Sequence, residues 1–285
     1  MEKSVSGNFE ADLVSYEKWL EVYLRPGSVK LRIYYAQRLG RWNPEVVPWE
    51  LTSQKLGDFV SSCGKSPSTR KNVVDAVRAL FRWGVMVGKI PVSPAENLPR
   101  ITVPRAVPNP TPTVALRRAL KEAPPPVDVV LILVATLSGL RRSELAHLHS
   151  RDIRDSIIRV RGKGGHERMV PLHPILQEVL ADIDDGYLFP SEKNPTGHLL
   201  PGSVGQRLGD LLGPGWSGHT LRHLFATSAF AATLDILAVQ QLLGHRNINT
   251  TMGYTKVPSL HLQEAVNGIE LPISTFELKQ LQKAG

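Results

Sequence analysis

The sequence predicts a mainly α-helical protein of two domains with one small β-sheet. Apolar residues recur at three- and four-residue steps over most of the 285 residues, which is the helical period. Only one short pair of segments reads as β-strands. A proline-rich stretch at 98–112 predicts a stiff linker between the two halves, and a chain of this length suits two domains.

The first half, residues 1–97, predicts an all-helical domain. Its helical blocks, divided by breaks that contain proline or glycine, are Phe9–Tyr23, Ser28–Trp42, Thr52–Ser61 and Pro67–Val87. In the last block Ser66 can cap the helix, with Pro67 in its first position.

One face of this last block is basic and carries Lys71, Arg78 and Arg82, opposite an apolar stripe. We predict that these side chains contact a DNA backbone, to which such cations bind without reading sequence. An ordinary solvated helix face is the alternative, and Asp75 lies among the three cations.

The second half predicts helices around a single β-hairpin. Two β-type runs, 157–161 and 167–172, flank a glycine-rich turn that contains Lys163. The segments expected to be helical, by their periodicity and caps, are 113–122, 127–137, 202–212, 221–233, 234–243 and 259–266.

The composition favours one class of binding partner and excludes disulfides and cysteine-rich zinc sites. A net charge of +8 favours a polyanionic partner, and residues 1–105 hold 16 basic against 10 acidic side chains. The single cysteine, Cys63, excludes an internal disulfide and a cysteine-rich zinc site. Neither an apolar signal segment nor an apolar run of about 20 residues occurs, so we expect a cytoplasmic protein without a membrane partner.

Four short segments of the second half carry residues suited to phosphate chemistry. They read SGLRRSEL from 138, RGKGGHERMVPL from 161, HTLRHLFAT from 219 and LGHRNINTTMGYT from 243. Each segment alone has a structural explanation, such as a surface arginine, a turn lysine or a helix cap. No acidic cluster suited to Mg²⁺ and no phosphate-loop motif accompanies them, so we expect neither a metal nor another cofactor.

In this order, the segments resemble the tyrosine recombinases of the phage integrase family. That family shows TGLR-x-SEL, a hairpin lysine, H-x-L-R-H, and LGH followed by a nucleophilic tyrosine. The resemblance covers about 113–260, and the N-terminal half matches only in type, as a helical core-binding domain. It implies a mixed α/β catalytic domain at 113–267, a tail at 268–285, and strand transfer through a 3′-phosphotyrosine.

The resemblance implies roles for the charged residues of the site. Arg141 and Arg222 correspond to the two phosphate-clamping arginines, since a guanidinium can grip two phosphate oxygens at once. Glu144 corresponds to the acidic residue that orients the first arginine. Arg161 and Arg168 are then expected to contact the DNA backbone or to line the strand face.

The remaining site residues carry the proton transfers. Lys163 corresponds to the general acid that protonates the 5′-oxygen, and His219 to the histidine that assists proton transfer from the tyrosine. His245 corresponds to the residue that hydrogen-bonds the scissile phosphate. Tyr254 corresponds to the nucleophile.

The resemblance further implies partners and leaves alternatives open. Double-stranded recombination sites, a homotetramer on synapsed DNA and, optionally, an accessory bending or directionality factor are the expected partners. The short N-terminus leaves no room for an arm-binding domain, so we expect a minimal integrase. An Xer-type recombinase that resolves replicon dimers is the near alternative; a type IB topoisomerase and a catalytically silent DNA-binding protein are the others.

Overall fold

The computed structural model describes residues 5–104, 108–122, 126–161, 167–244 and 259–272. The chain divides into two compact units, Met1–Ala106 and Val107–Gly285, hereafter unit 1 and unit 2. The division falls within the stretch predicted as a linker, but both ends of that stretch pack into a unit. Leu98 is buried in the core of unit 1, and Thr111 is buried in unit 2, where its N–H donates to the carbonyl of Thr220.

Unit 1 consists of helices around an apolar centre. The helices described there are α1 (Val5–Glu21), α2 (Pro26–Trp42), α3 (Ser53–Ser62) and α4 (Pro67–Met86), with 3-10 turns at Pro48–Glu50 and Pro94–Asn97. The Ser66 hydroxyl accepts the N–H of Thr69 and so begins α4, as predicted. Valines, Leu80 and Phe81 on one side of α4 are buried, which confirms the apolar stripe.

At the centre of unit 2 lies the helix α6, which is almost wholly buried. Its described helices are α5 (Thr113–Glu122), α6 (Pro126–Ser138), α7 (Arg142–Ala146), α8 (Pro174–Val179), α9 (Pro201–Leu212), α10 (Gly218–Thr233), α11 (Ile236–Leu243) and α12 (Ser259–Asn267). Helix α10 packs on α6 and on α12, and the end of α11 approaches β3 of the sheet. The predicted class, mainly helical with one small sheet, is confirmed.

The sheet of unit 2 has one strand more than the sequence predicts. Strands β1 (Ile153–Arg154), β2 (Ile157–Arg161) and β3 (Glu167–Pro171) are antiparallel in the order β1-β2-β3. The predicted hairpin is β2 and β3, with Ile158 opposite Val170. A strand of two residues is too short to show alternation, so β1 and the five-residue α7 have no periodic signal.

Helix α10 begins earlier than its apolar pattern indicates. The predicted start was residue 221, but Ser217 accepts the N–H of His219 and donates its own N–H to Thr220, which starts the helix at Gly218. The helix ends at Thr233, and the next residue, Leu234, is left-handed with φ of 55°. His219 therefore lies in the first turn of α10, one turn before Arg222.

Within the described ranges, no helix combines the length and the apolar character needed to span a membrane.

Candidate active site

The first predicted arginine follows a sharp backbone turn. Gly139 has φ of +59°, and a Cβ there would lie 2.4 Å from Cδ1 of Phe225, so the position requires glycine. The turn leads from the end of α6 into Arg141, the residue before α7. The carbonyl of Gly139 also accepts a hydrogen bond from Arg222 on α10. The turn thus brings the two predicted arginines to one place.

Arg222 is buried and fully oriented by the main chain. Its Nη1 donates to the carbonyl of Gly139, and its Nη2 donates to that of Leu243 at 2.5 Å. Burial, and then the neighbouring Arg141 and Arg168, lower its pKa to about 10. The guanidinium remains charged at neutral pH.

Arg141 is held at one end and open at the other. Its Nη1 donates to Oε1 of Glu144 at 2.7 Å, and its own N–H donates to Oε2 at 2.8 Å. Its Nη2 donates to the carbonyl of Gly244 at 3.2 Å. The side chain is 40% exposed, so a ligand can still reach this guanidinium.

Arg168 is placed differently from the expected DNA-backbone contact. Its two Nη atoms donate to both oxygens of Glu144 at 2.9 and 2.7 Å, and its Nε donates to the carbonyl of Leu242 at 2.8 Å. The side chain is only 8% exposed. All three side-chain nitrogens of Arg168 donate to acceptors within the protein. The expectation of a DNA-backbone contact is therefore corrected, because Arg168 lies in the interior of the site. Arg168 lies on the same face of β3 as the buried Val170, so the two-residue alternation of the strand could have indicated an inward side chain.

Glu144 is the shared acceptor of the cluster. Burial alone raises the pKa of a carboxyl, but hydrogen bonds and charge from Arg168, and the hydrogen bonds from Arg141, outweigh this. The resulting pKa is lowered to about 2. Glu144 is therefore ionised, and it accepts hydrogen bonds from both the main-chain N–H and the side chain of Arg141.

Three arginines meet the C-terminal end of α11. The consecutive carbonyls of Leu242, Leu243 and Gly244 accept from Arg168, Arg222 and Arg141 respectively. Carbonyls at a helix C-terminus lack partners within the helix and carry partial negative charge, so cations are favoured there.

Gly244 ends α11 in the left-handed conformation, with φ of +62°. A Cβ there would lie 2.9 Å from Cδ of Arg168. The glycine before His245 therefore serves both the turn and the close approach of Arg168.

His219 is paired with the other histidine of its segment. Its Nε2 lies 3.1 Å from Nε2 of His223, so one ring donates and the other accepts. Burial, and then the neighbouring His219 and Arg222, lower the pKa of His223. Protonation of His223 is thus disfavoured at this position.

Of the other predicted DNA contacts, three have exposed side chains and one is half-buried and hydrogen-bonded within the protein. Lys71 forms an ion pair with Asp75 at 2.5 Å, and Arg82 is 72% exposed. Arg161 is exposed on β2 beside Glu167. Arg78 is different, because it is half-buried and donates to the carbonyl of Leu98 at 2.5 Å, which corrects its placement on an open face.

Three predicted catalytic residues, Lys163, His245 and Tyr254, lie outside the described residues. Strands β2 and β3 flank the range 162–166, and Gly244 directly precedes 245–258. In the ranges that are described, no group of three or more His, Cys, Asp or Glu side chains could hold a metal ion.

Comparisons with known proteins agree on one family. The sequence profile of the Phage integrase family matches residues 114–261. The tyrosine recombinase XerA of Thermococcus kodakarensis is 30% identical over 258 residues, covering 84% of this chain and 88% of XerA. The tyrosine recombinase XerC of Erythrobacter litoralis is 34% identical over 225 residues, covering 71% of this chain and 72% of XerC.

The fold is shared with solved structures at lower identity. A lambda integrase(75–356) dimer bound to a COC′ core site superposes with a TM-score of 0.66 at 19% identity, covering 87% of this chain and 98% of that one. The integrase from mycobacterium phage Brujita gives 0.53 at 24% identity, covering 95% and 97%.

Proposed function

Because the chain belongs to the phage integrase family and is a tyrosine recombinase, we propose that it cleaves and rejoins duplex DNA at specific sites through Tyr254, integrating and excising a mobile element. The observation that carries this proposal is the meeting of Arg141 and Arg222 at the end of α11. Their guanidinium groups donate to the adjacent carbonyls of Gly244 and Leu243, directly before the segment that contains Tyr254.

The proposed cleavage step needs no metal, because two arginines supply the positive charge. The Oη of Tyr254 attacks the phosphorus and the bond from phosphorus to the 5′-oxygen breaks, leaving the DNA 3′-phosphate on the tyrosine. His219 assists removal of the phenol proton, and Lys163 donates a proton to the departing 5′-oxygen. Arg141 and Arg222 stabilise the charge that grows on the non-bridging oxygens.

Rejoining is the same reaction in reverse with another strand. A 5′-hydroxyl attacks the phosphotyrosine and gives its proton to Lys163, the bond from phosphorus to Oη of Tyr254 breaks, and the phenolate regains its proton with the help of His219. The covalent intermediate retains the energy of the phosphodiester, so the exchange needs no nucleotide cofactor.

The assembly is proposed by analogy with relatives of the same fold. A lambda integrase tetramer bound to a Holliday junction superposes with a TM-score of 0.66 at 18% identity. We expect four copies of this chain to act on two synapsed duplexes in the cytoplasm, with any bending or directionality factor as a separate protein. The exposed Lys71, Arg82 and Arg161 are the candidates for phosphate contacts.

An Xer-type role is the second candidate, and a specific observation favours it. The curated relatives XerA and XerC match over most of their own lengths. Mapping the recombination site distinguishes the two roles. Attachment sites that pair an element with its host indicate integration, whereas one site repeated within a replicon indicates resolution of dimers.

A nicked suicide duplex tests the nucleophile. Cleavage of such a substrate releases a short strand, so the covalent protein–DNA complex accumulates and is seen by denaturing electrophoresis. We expect the complex with the wild type and none with Tyr254→Phe. The matched control is Tyr34→Phe, since Tyr34 is an exposed tyrosine of unit 1 and we expect the complex to form normally.

Two outcomes contradict this proposal. A complex that persists in Tyr254→Phe refutes the assignment of the nucleophile. Relaxation of plasmids that lack any recognition site, without strand exchange, indicates the topoisomerase alternative instead.

A further inference from the structure

We propose that Arg168 is a positioning residue of the recombinase active site, which holds Glu144 and the end of α11 so that Arg141 stays available to phosphate. The inference rests on the proposed function, but the contacts that carry it belong to the protein alone. Neither the sequence pattern nor the family resemblance assigned Arg168 this role.

Arg168 occupies the best binding geometry that Glu144 offers. A guanidinium and a carboxylate are most strongly held by two parallel hydrogen bonds. Arg168 makes both, at 2.9 and 2.7 Å, whereas the side chain of Arg141 reaches only Oε1 of Glu144. Arg168 therefore already forms the bidentate pair with this carboxylate.

This division decides what Arg141 can do. If Arg168 is removed, Glu144 offers Arg141 two oxygens, and the more exposed arginine can turn to form the paired geometry itself. Both Nη atoms of Arg141 then donate to the carboxylate of Glu144, and they are no longer available to a phosphate. With Arg168 in place, the side chain of Arg141 makes one hydrogen bond to Glu144 and one to the carbonyl of Gly244, and it stays 40% exposed to a phosphate.

Arg168 also ties strand β3 to the end of α11. Its Nε donates to the carbonyl of Leu242, and its Cδ is so close to Gly244 that no side chain fits there. Gly244 directly precedes His245, and Arg168 follows the hairpin lysine, Lys163, by five residues. One side chain thus connects the chain segments that carry both predicted groups.

The rival interpretation is the one that the sequence favours, namely a DNA-backbone contact. Losing a phosphate contact weakens binding and lowers the slope of log K against log salt by about 0.9 per contact. Losing a positioning residue instead slows cleavage while affinity and salt dependence stay unchanged. A DNA-backbone contact therefore affects the affinity and its salt dependence, whereas a positioning residue affects the cleavage rate.

The test compares Arg168→Gln, Arg168→Lys and a matched control, Arg207→Gln. Arg207 also pairs with a buried carboxylate of unit 2, Asp128, but neither residue belongs to the site. For each variant we measure the single-turnover cleavage rate on the suicide duplex at saturating protein, the affinity for the intact duplex at several salt concentrations, and the unfolding midpoint.

We expect Arg168→Gln to cleave at least about 100-fold more slowly at unchanged affinity and salt slope. Arg168→Lys keeps the charge but not the fork, and we expect only partial recovery of the rate. Arg207→Gln should lower the unfolding midpoint yet cleave at the wild-type rate. A wild-type rate in folded Arg168→Gln, or a weaker affinity with a smaller salt slope, overturns the proposal.

Hydrogen exchange separates this inference from the proposed function. In Arg168→Gln we expect faster amide exchange in the last turn of α11, with α9 unchanged, whether or not any DNA is cleaved. If the wild type forms no covalent complex, the proposed function fails while the exchange result still tests the contacts. Unchanged exchange in α11 refutes the positioning role.

Discussion

Each unit gathers basic side chains, and the cluster around Glu144 in unit 2 is far more enclosed than the exposed cations on α4 of unit 1. On α4 of unit 1, Lys71 and Arg82 lie in solvent with single acidic neighbours. In unit 2, Arg168 and Arg222 are almost wholly enclosed and each donates to a carbonyl at the end of α11, while Arg168 also donates to Glu144. Both clusters consist of basic side chains with acidic partners, but only in unit 2 do buried hydrogen bonds fix the positions of the cations.

The difference follows from the cost of removing a charge from water. A buried guanidinium is tolerated only where acceptors surround it, and the end of a helix offers several at once. Such a cation cannot turn away, so it can orient a phosphate for reaction. An exposed cation keeps its freedom and mainly adds affinity, which salt screens.

The largest effect should follow from changing Arg222. We expect Arg222→Lys to lower the single-turnover cleavage rate roughly 100- to 1,000-fold, because an ammonium cannot reach both carbonyls and the phosphate. The matched control is Arg118→Lys, since Arg118 donates to the carbonyl of Leu212 at the end of α9, outside the site. Equal rates for the two variants contradict the comparison drawn above.

A smaller effect, on stability, is expected at Glu144. Glu144→Gln leaves Arg168 enclosed without its counter-charge, and breaking such a pair costs about 3–5 kcal/mol of unfolding free energy. Urea unfolding measures this. Glu167→Gln is the control, because its pair with Arg161 is exposed and should be worth under about 1 kcal/mol.

Acid should remove the same contribution from the wild type. The pKa of Glu144 is about 2 in the folded protein and lies near 4.5 in the unfolded chain. The contribution is therefore complete above about pH 4.5 and is lost as the pH falls towards 2. A similar acid sensitivity in Glu144→Gln contradicts this assignment.

Sequence alone predicted most elements of the fold, because long amphipathic helices repeat their period several times. It missed β1, α7 and α8, which contain two, five and six residues. It also placed the start of α10 too late, since the first turn there depends on reciprocal hydrogen bonds between Ser217 and Thr220 and not on apolar spacing.

For the site, the sequence motifs indicated which residues to consider but not how they share partners. Arg141, Glu144 and Arg222 come together in the structure. The alternation of β3 places Arg168 on the face of the buried Val170, but it does not show that Glu144 lies there to accept its hydrogen bonds. The carbonyl acceptors at Leu242 and Gly244 are equally invisible to a motif, since every residue has a carbonyl.

A weaker effect on stability is expected between pH 7 and 5. The pKa values of His173 and His223 are both lowered, chiefly by burial, so the unfolded chain binds protons first as the pH falls below about 6.5. The free energy of unfolding should therefore fall with pH in this window. His223→Asn should reduce the slope, and an unchanged slope contradicts the shift at His223.

The smallest effect on stability should come from the α4 face. Lys71→Gln and Arg82→Gln should change the unfolding free energy by no more than about 0.5 kcal/mol, because both side chains are exposed. Arg78→Gln should cost about 1–3 kcal/mol, since it leaves the carbonyl of Leu98 without its donor. If Lys71 and Arg82 meet phosphates, each loss also lowers the salt slope of DNA binding by about 0.9. An unchanged slope in both variants makes this an ordinary solvated face, which adds neither stability nor DNA affinity.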